Sequence, residues 1–317
     1  MPPLRNIGKT EIQITPIAMG CWPISGVTSV DVTEQASLAT LNAALDSGIN
    51  FFDTAYCYGY DGESEQLIAK ALGDKRDQIV IATKGGIHWA DRKQIRDASP
   101  ARIKQECDES LKRLQTDRVE LYYLHGPDPE IPVSESAGAF KELLEAGKIL
   151  SVGVSNFTLE QLQEFAAVCP ISAYQPRYNM LQRDIEQDRL PWCIENDVSV
   201  MVYWPLMKGL LAGKLPRDYQ FAPEDGRRKY PMFHGEEWEK NQDFLDQLKI
   251  LAEEYQRTIA QIVISWTIQQ TGITCALCGA KRPEQIEENA QAMNFELTSS
   301  QLESIDHLIQ QRGTIHS

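Results

Sequence analysis

The chain has 317 residues, with a hydrophobic fraction of 42%, a charged fraction of 24% and a formal charge of -14 at pH 7. This length and balance suit a soluble globular protein with a large buried core, built as two ordinary domains or as one large α/β barrel. The acidic balance argues against a surface for nucleic acid or anionic membrane, since either needs clustered Lys and Arg, and an anionic ligand would require a local basic site.

A hairpin is expected first, over LRNIGKTEIQI. Strand-like and helix-like segments then alternate, with strands expected around 17–20, 49–53, 79–83, 119–124, 149–154, 172–175, 199–203 and 273–277. Between them, TEQASLATLNAALDSG, SEQLIAKALG, SPARIKQECDESLKRL, SESAGAFKELLEAG and TLEQLQEFAAV carry apolar residues at helical spacing, and several open on Ser or Thr and close on Gly as capped helices do. Eight βα units predict a closed (β/α)8 TIM barrel, whereas a doubly wound sheet usually has fewer strands and often a Gly-rich first turn; no G-x-G-x-x-G is present. The interval from Pro205 to about Ala260 is long, contains GRRKYPMFHGEEWEKN, and reads as a loop insertion after strand 7 on the ligand face. No low-complexity tract or Pro/Gly linker divides the chain, so residues 1–317 are expected to form one domain.

No apolar run reaches the roughly 18 to 20 residues that span a bilayer, and MPPLRNIGKTEIQ lacks the apolar stretch of a secretory signal, so a cytoplasmic protein is expected. The seven cysteines read as reduced thiols. Cys275 and Cys278 form a C-x-x-C inside the apolar run ITCALCGA, where alternation points the two side chains to opposite faces. With no second such pair, and no His and carboxylate cluster at ligand spacing, no metal site is expected.

Four polar residues stand where strand patterns run out: Asp53 and Tyr58 in NFFDTAYCYG, Lys84 in IVIATKGG and His125 in VELYYLHGPD. Taken as four strand ends of a parallel barrel, they converge on its carboxyl rim. Singly, each has an ordinary explanation: a turn cap, a packed ring, a solvated amine, a buried imidazole. Together an acid, a phenol, an ammonium and an imidazole make a proton-donating site. Reduction of a carbonyl by hydride needs a proton at the oxygen, where negative charge builds. Tyr58 can supply it, with Lys84 expected to lower the phenol pKa, Asp53 to hold the ammonium and His125 to orient the substrate oxygen.

These residues also carry a resemblance. D-T-A-x-x-Y-G with the following S-E (Asp53, Thr54, Ala55, Tyr58, Gly59, Ser64, Glu65), the lysine of ATKGG, the histidine of LHGPD, and GKILSVGVSNF resemble the aldo-keto reductase family, most of all the bacterial branch that includes relatives of potassium-channel β-subunits. The similarity runs from the initial hairpin to about Asn289. It implies a (β/α)8 barrel, an oxidoreductase reducing aldehydes or ketones, NADPH rather than NADH as cofactor, and a tetrad of Asp53, Tyr58, Lys84 and His125.

The resemblance further implies that Ser155, Asn156 and Gln175 hold the nicotinamide carboxamide and that Tyr203 stacks on the ring. Leu206, Lys208, Gly209 and Leu210 of PLMKGLLAGK then meet the pyrophosphate. In CGAKRPEQIEENAQA, Lys281 and Arg282 form a basic pair near a helix amino terminus where a 2′-phosphate would sit. Gly279 and Gln285 stand where a lysine and an arginine are often found, and Glu288 and Asn289 meet the adenine. Gly126 replaces a tryptophan common after the histidine, opening the substrate pocket, with Trp22, Tyr60, His88 and Trp89 as candidate walls. The rival of another class is a cofactor-binding regulatory or redox-sensing subunit with little catalysis. The absence of a long N-terminal extension favours the enzyme.

Overall fold

Eight short strands close into a parallel barrel in the computed structural model of the chain, which describes residues 3–27, 29, 31–223 and 225–315. They are β1 (Ile17–Gly20), β2 (Phe51–Asp53), β3 (Val80–Gly85), β4 (Leu121–Leu124), β5 (Val152–Ser155), β6 (Ala173–Gln175), β7 (Ser199–Val202) and β8 (Ile273–Gly279). Each pairs with its neighbour in chain order, and β8 closes on β1 through Ala276↔Ile17 to Gly279↔Gly20. All eight expected strands are present, several shifted by one to three residues toward the carboxyl end.

Side-chain alternation divides each strand between two cores. Ala18, Phe51, Val80, Ala82, Leu121, Tyr123, Ala173, Met201, Cys275 and Leu277 fill the barrel interior. Ile17, Met19, Phe52, Ile81, Tyr122, Val152, Val200 and Cys278 pack outward against the helices. Cys275 and Cys278 thus point to opposite faces, as alternation requires. At Gly153 an added Cβ would lie 2.3 Å from Cδ1 of Tyr123, so this interior position must lack a side chain for the ring to fit. Arg5–Asn6 pairs with Gln13–Ile14 as the expected hairpin, and its Ile7 and Ile14 join the interior cluster.

The outer helices are α1 (Glu34–Asp46), α2 (Glu63–Leu72), α3 (Pro100–Leu114), α4 (Val133–Glu145), α5 (Leu159–Ala166), α6 (Arg189–Glu195), α7 (Gly235–Glu254), α8 (Ile259–Gln269), α9 (Pro283–Ala290) and α10 (Ser299–Arg312). Thr158, Thr258 and Thr298 each form a capping box with the glutamine three residues on, and Ser99 caps α3 ahead of Pro100.

The long interval after β7, expected as a loop insertion, also carries a helix. Residues 207–212, kinked at Lys208 and Gly209, and residues 226–229 and 231–233 form short turns, and the 20-residue α7 follows. Trp238, Phe244, Leu245, Leu248 and Ala252 bury one face of α7, and Arg312 of α10 donates to Glu237 Oε2 at 2.7 Å and to Asn241 Oδ1. A second hairpin, absent from the sequence reading, follows β3: Ile87–Ala90 pairs with Lys93–Arg96 around Asp91 and Arg92, both at positive φ.

Candidate active site

The alternation that fills the interior also selects the residues at the rim. Two positions after the inward residues Phe51, Ala82, Tyr123, Gly153, Ala173 and Met201 come Asp53, Lys84, His125, Ser155, Gln175 and Tyr203. Each therefore continues an inward-facing row at the carboxyl end of its strand. On β1 and β8 the corresponding positions are Gly20 and Gly279, which pair with each other, so these two rows end without a side chain of their own. Asp53 and Tyr58 follow the same strand, β2, so three strands rather than four supply the tetrad.

Lys84 and Asp53 are buried, with side chains 0% and 2% exposed, and Nζ donates to Asp53 Oδ1 at 2.5 Å. Nζ also donates to Thr54 O at 2.8 Å and to the Tyr58 hydroxyl at 3.4 Å, which occupies its three hydrogens. Gln175 Nε2 donates to the other Asp53 oxygen at 2.8 Å. Tyr58 lies edge-on to Trp22 at 5.0 Å and to His125 at 5.8 Å between ring centres.

Burial dominates the titration of these groups. It pushes the Asp53 carboxyl up, opposed by Lys84 and by the Gln175 hydrogen bond. Burial also holds the Tyr58 phenol well above its ordinary value, with the Asp53 charge next in weight. The expected lowering by Lys84 is thus outweighed: desolvation disfavours the phenolate, and Asp53 offsets the ammonium's field. His125 is driven well below its ordinary value by burial, Lys84 and Arg96, and is a neutral imidazole at neutral pH.

Residues expected to hold the carboxamide are joined to one another. Ser155 Oγ donates to Gln175 O at 2.7 Å, Asn156 Nδ2 donates to Ser155 Oγ at 3.0 Å and to His125 O at 3.2 Å, and the Tyr203 hydroxyl donates to Asn156 Oδ1 at 2.8 Å. Through Gln175 this chain meets Asp53, so carboxamide set and tetrad form one network.

After Leu206, the residues Met207, Lys208 and Gly209 take positive φ in succession, and the Gly209 amide donates to Leu206 O within the turn. Lys208 Nζ lies 3.9 Å from the ring centre of Trp204 and 4.6 Å from that of Tyr230. Burial, Lys229 and Arg227 push its pKa down to about 8. Arg227 is held by Asp225, with Nη2 2.6 Å from Oδ2. Arg227 and Lys229 were not singled out from the sequence, although the run GRRK in an acidic chain is their signal.

At the far end Lys281 and Arg282 precede α9, and the Lys281 amide donates to Gln285 Oε1 at 2.9 Å. Lys214 pairs with one oxygen of Glu288. The other, Oε1, is buried without a hydrogen-bond partner among the described residues. Asn289 is buried and Leu210 belongs to the hydrophobic core.

Of the four candidate pocket walls, Trp22 abuts Tyr58. Trp89 packs edge-on against the exposed Tyr60 at 5.0 Å and donates its indole N–H to Cys57 O at 2.8 Å. His88 turns instead to α3, its Nδ1 3.5 Å from Glu106 Oε1. No group of three or more His, Cys, Asp or Glu side chains able to hold a metal occurs among the described residues. No described helix is long and apolar enough to cross a membrane.

Residues 16–310 match the Aldo/keto reductase family. The chain is 38% identical over 308 residues to "Aldo-keto reductase YhdN" of Bacillus subtilis (strain 168), covering 96% of this chain and 93% of that protein. It is 33% identical over 310 residues to "NADH-specific methylglyoxal reductase" of Escherichia coli (strain K12), covering 93% and 94%. Among solved structures, glycerol dehydrogenase AKR11B4 from Gluconobacter oxydans superposes with a TM-score of 0.91 at 33% identity, covering 98% of this chain and 95% of that one. The holo form of aldo-keto reductase AKR11C1 from Bacillus halodurans gives 0.81 at 27% identity, covering 97% and 96%. With an eight-stranded parallel barrel whose rim carries the acid, phenol, ammonium and imidazole, the chain belongs to the aldo/keto reductase family and is an NAD(P)H-dependent oxidoreductase.

Proposed function

We propose that residues 1–317 act as one cytoplasmic barrel domain that reduces small aldehydes and ketones to alcohols, with Tyr58 as the proton donor and NADPH preferred over NADH. The observation that carries the proposal is the Tyr58 hydroxyl, which rests on Lys84 Nζ at 3.4 Å and lies beside His125 under the Trp22 edge. A reduced nicotinamide, when bound, supplies the hydride. Tyr58 keeps its proton until negative charge grows on the substrate oxygen, because burial disfavours the phenolate beforehand. The Lys84 ammonium then stabilises the phenolate left behind, and Asp53 fixes Lys84 by the 2.5 Å contact. His125, neutral, orients the carbonyl oxygen by a hydrogen bond.

The residues present fit a dinucleotide. Ser155, Asn156, Gln175 and Tyr203 offer donors and acceptors at the inner rim. Lys208, Arg227 and Lys229 gather positive charge on an acidic protein, and the unpartnered Glu288 oxygen suits the amino group of an adenine. Lys281 and Arg282 at the start of α9 support the preference for a 2′-phosphate. Methylglyoxal and glycerol, named for two relatives, are small oxygenated molecules, and this favours substrates of similar size here.

The test is to follow absorbance of reduced cofactor with the purified chain and a panel of small aldehydes and ketones, with NADPH and NADH in parallel. Turnover on several aldehydes is expected, and a Lys281→Ala, Arg282→Ala variant should bind NADPH about ten-fold more weakly or worse while NADH changes little. A flat trace with cofactor bound would favour the regulatory reading. An equal loss for both cofactors would mean that the 2′-phosphate is not read by this pair.

A further inference from the structure

Cys57 stands immediately before Tyr58, and its sulfur lies 3.5 Å from Nδ1 of His125. The side chain is 1% exposed. Both groups of the peptide that joins Cys57 to Tyr58 are held: Trp89 Nε1 donates to Cys57 O at 2.8 Å, and the Tyr58 amide donates to Ala55 O at 2.9 Å. The sulfur's position is therefore set by the turn that also sets the phenol.

We infer that Cys57 is a positioning residue whose S–H donates to Nδ1 of His125 and so fixes the imidazole with its single proton on Nε2. The inference rests on the role given to His125 above, since only an N–H on the pocket side can donate to a carbonyl oxygen. Two tautomers satisfy the contact geometrically: S–H donating to a bare Nδ1, or Nδ1–H donating to sulfur. Chemistry separates them, because an unprotonated imidazole nitrogen is a good acceptor and sulfur a weak one.

Both groups hold the protons this needs. Burial pushes the Cys57 thiol up to about 12, so it remains S–H at neutral pH. His125 is held neutral by burial, Lys84 and Arg96, so its one proton goes where the neighbouring hydrogen bond directs it. Lys84, whose three hydrogens are engaged by Asp53, Thr54 and Tyr58, is not the partner of Nδ1. Nothing in the D-T-A-x-x-Y-G pattern demands a thiol at the position before the tyrosine. Cys57 occupies an unspecified position of that pattern, and the fold brings it into contact with the histidine.

The experiment uses the full chain labelled with 15N-histidine and free of substrate, with His125→Gln to assign the resonance. Long-range proton–nitrogen spectra at about pH 8 should show Nδ1 unprotonated and Nε2 protonated in the parent. Cys57→Ala should shift Nδ1 toward a free acceptor or a tautomer mixture, and Cys57→Ser, which keeps a donor, should stay near the parent. In turnover, Cys57→Ala should lower kcat/KM for the carbonyl by about three- to ten-fold, the worth of one hydrogen bond, with cofactor affinity unchanged and Cys57→Ser largely rescued. A parent spectrum with the proton on Nδ1, or His125 resonances identical in all three proteins, overturns the inference. If Cys57→Ala does not fold, Cys57→Val, which also lacks a donor, takes its place in the same comparison. The Nε2–H form seen in a protein that reduces no carbonyl would support this assignment and count against the proposed reaction alone.

Discussion

Replacing Lys84 by Met should destabilise the fold through the charge it abandons. Lys84 and Asp53 are buried beneath the rim, and deleting one member of such a pair typically costs about 3–5 kcal/mol because the other is left uncompensated. Gln175 keeps its 2.8 Å bond to Asp53, which favours the lower end, about 3 kcal/mol. The loss should depend on pH with a fixed sign. Burial already raises the Asp53 carboxyl, and removing Lys84, its largest opposing influence, raises it further. An acid with a raised folded pKa contributes stability below its unfolded pKa, and that contribution is lost as pH rises through the folded value. The penalty of Lys84→Met should therefore be smaller at pH 5 than at pH 8. Adding Asp53→Asn removes the stranded charge, so the double variant should be less destabilised than the sum of the two single changes. Urea unfolding of the four proteins at both pH values measures all of this without reference to catalysis. Equal penalties at pH 5 and 8, together with additive losses, would refute the view that Asp53 is held ionised by Lys84.

Tyr58→Phe should lower turnover by at least about 100-fold while fluorescence titration finds cofactor affinity nearly unchanged. Near-normal turnover would remove Tyr58 from the chemistry. Tyr58→Phe with Lys84→Met should cost much less in kcat than the product of the single losses, and strict multiplicativity would show that they do not share a proton path. Cofactor affinity should weaken as pH rises through about 8, where Lys208 loses the charge that attracts an anion, and the same titration with Lys208→Met should be flatter across that range.

Much of this fold was legible because each barrel strand is a short run bounded by turns, and the placement of Asp53, Lys84 and His125 on one rim was legible because parity is preserved to the strand's end. Phe51 and Asp53, Ala82 and Lys84, Tyr123 and His125 share a face because they are two apart, and a sequence displays that spacing openly. The second hairpin was missed since WADRKQ has little hydrophobic content to mark strands, and its turn relies on positive φ at Asp91 and Arg92 rather than at glycine. Helix α7 was missed since its first turns are dense in charge, and its apolar stripe becomes evident only over the full 20 residues.

The phenol's titration was misjudged for a different reason. A spacing argument can bring Lys84 near Tyr58, but the sign of the shift depends on how much water the site excludes and on where the ammonium's three hydrogens go. Those go to Asp53, Thr54 and Tyr58, at 2.5, 2.8 and 3.4 Å, so the phenol receives the longest contact. A charge neutralised by a carboxylate at the shorter distance does not outweigh the desolvation of the phenol. The same arrangement suits a donor: a phenol that resists ionising in the resting site keeps its proton for an oxygen on which negative charge is growing, where transfer relieves that charge.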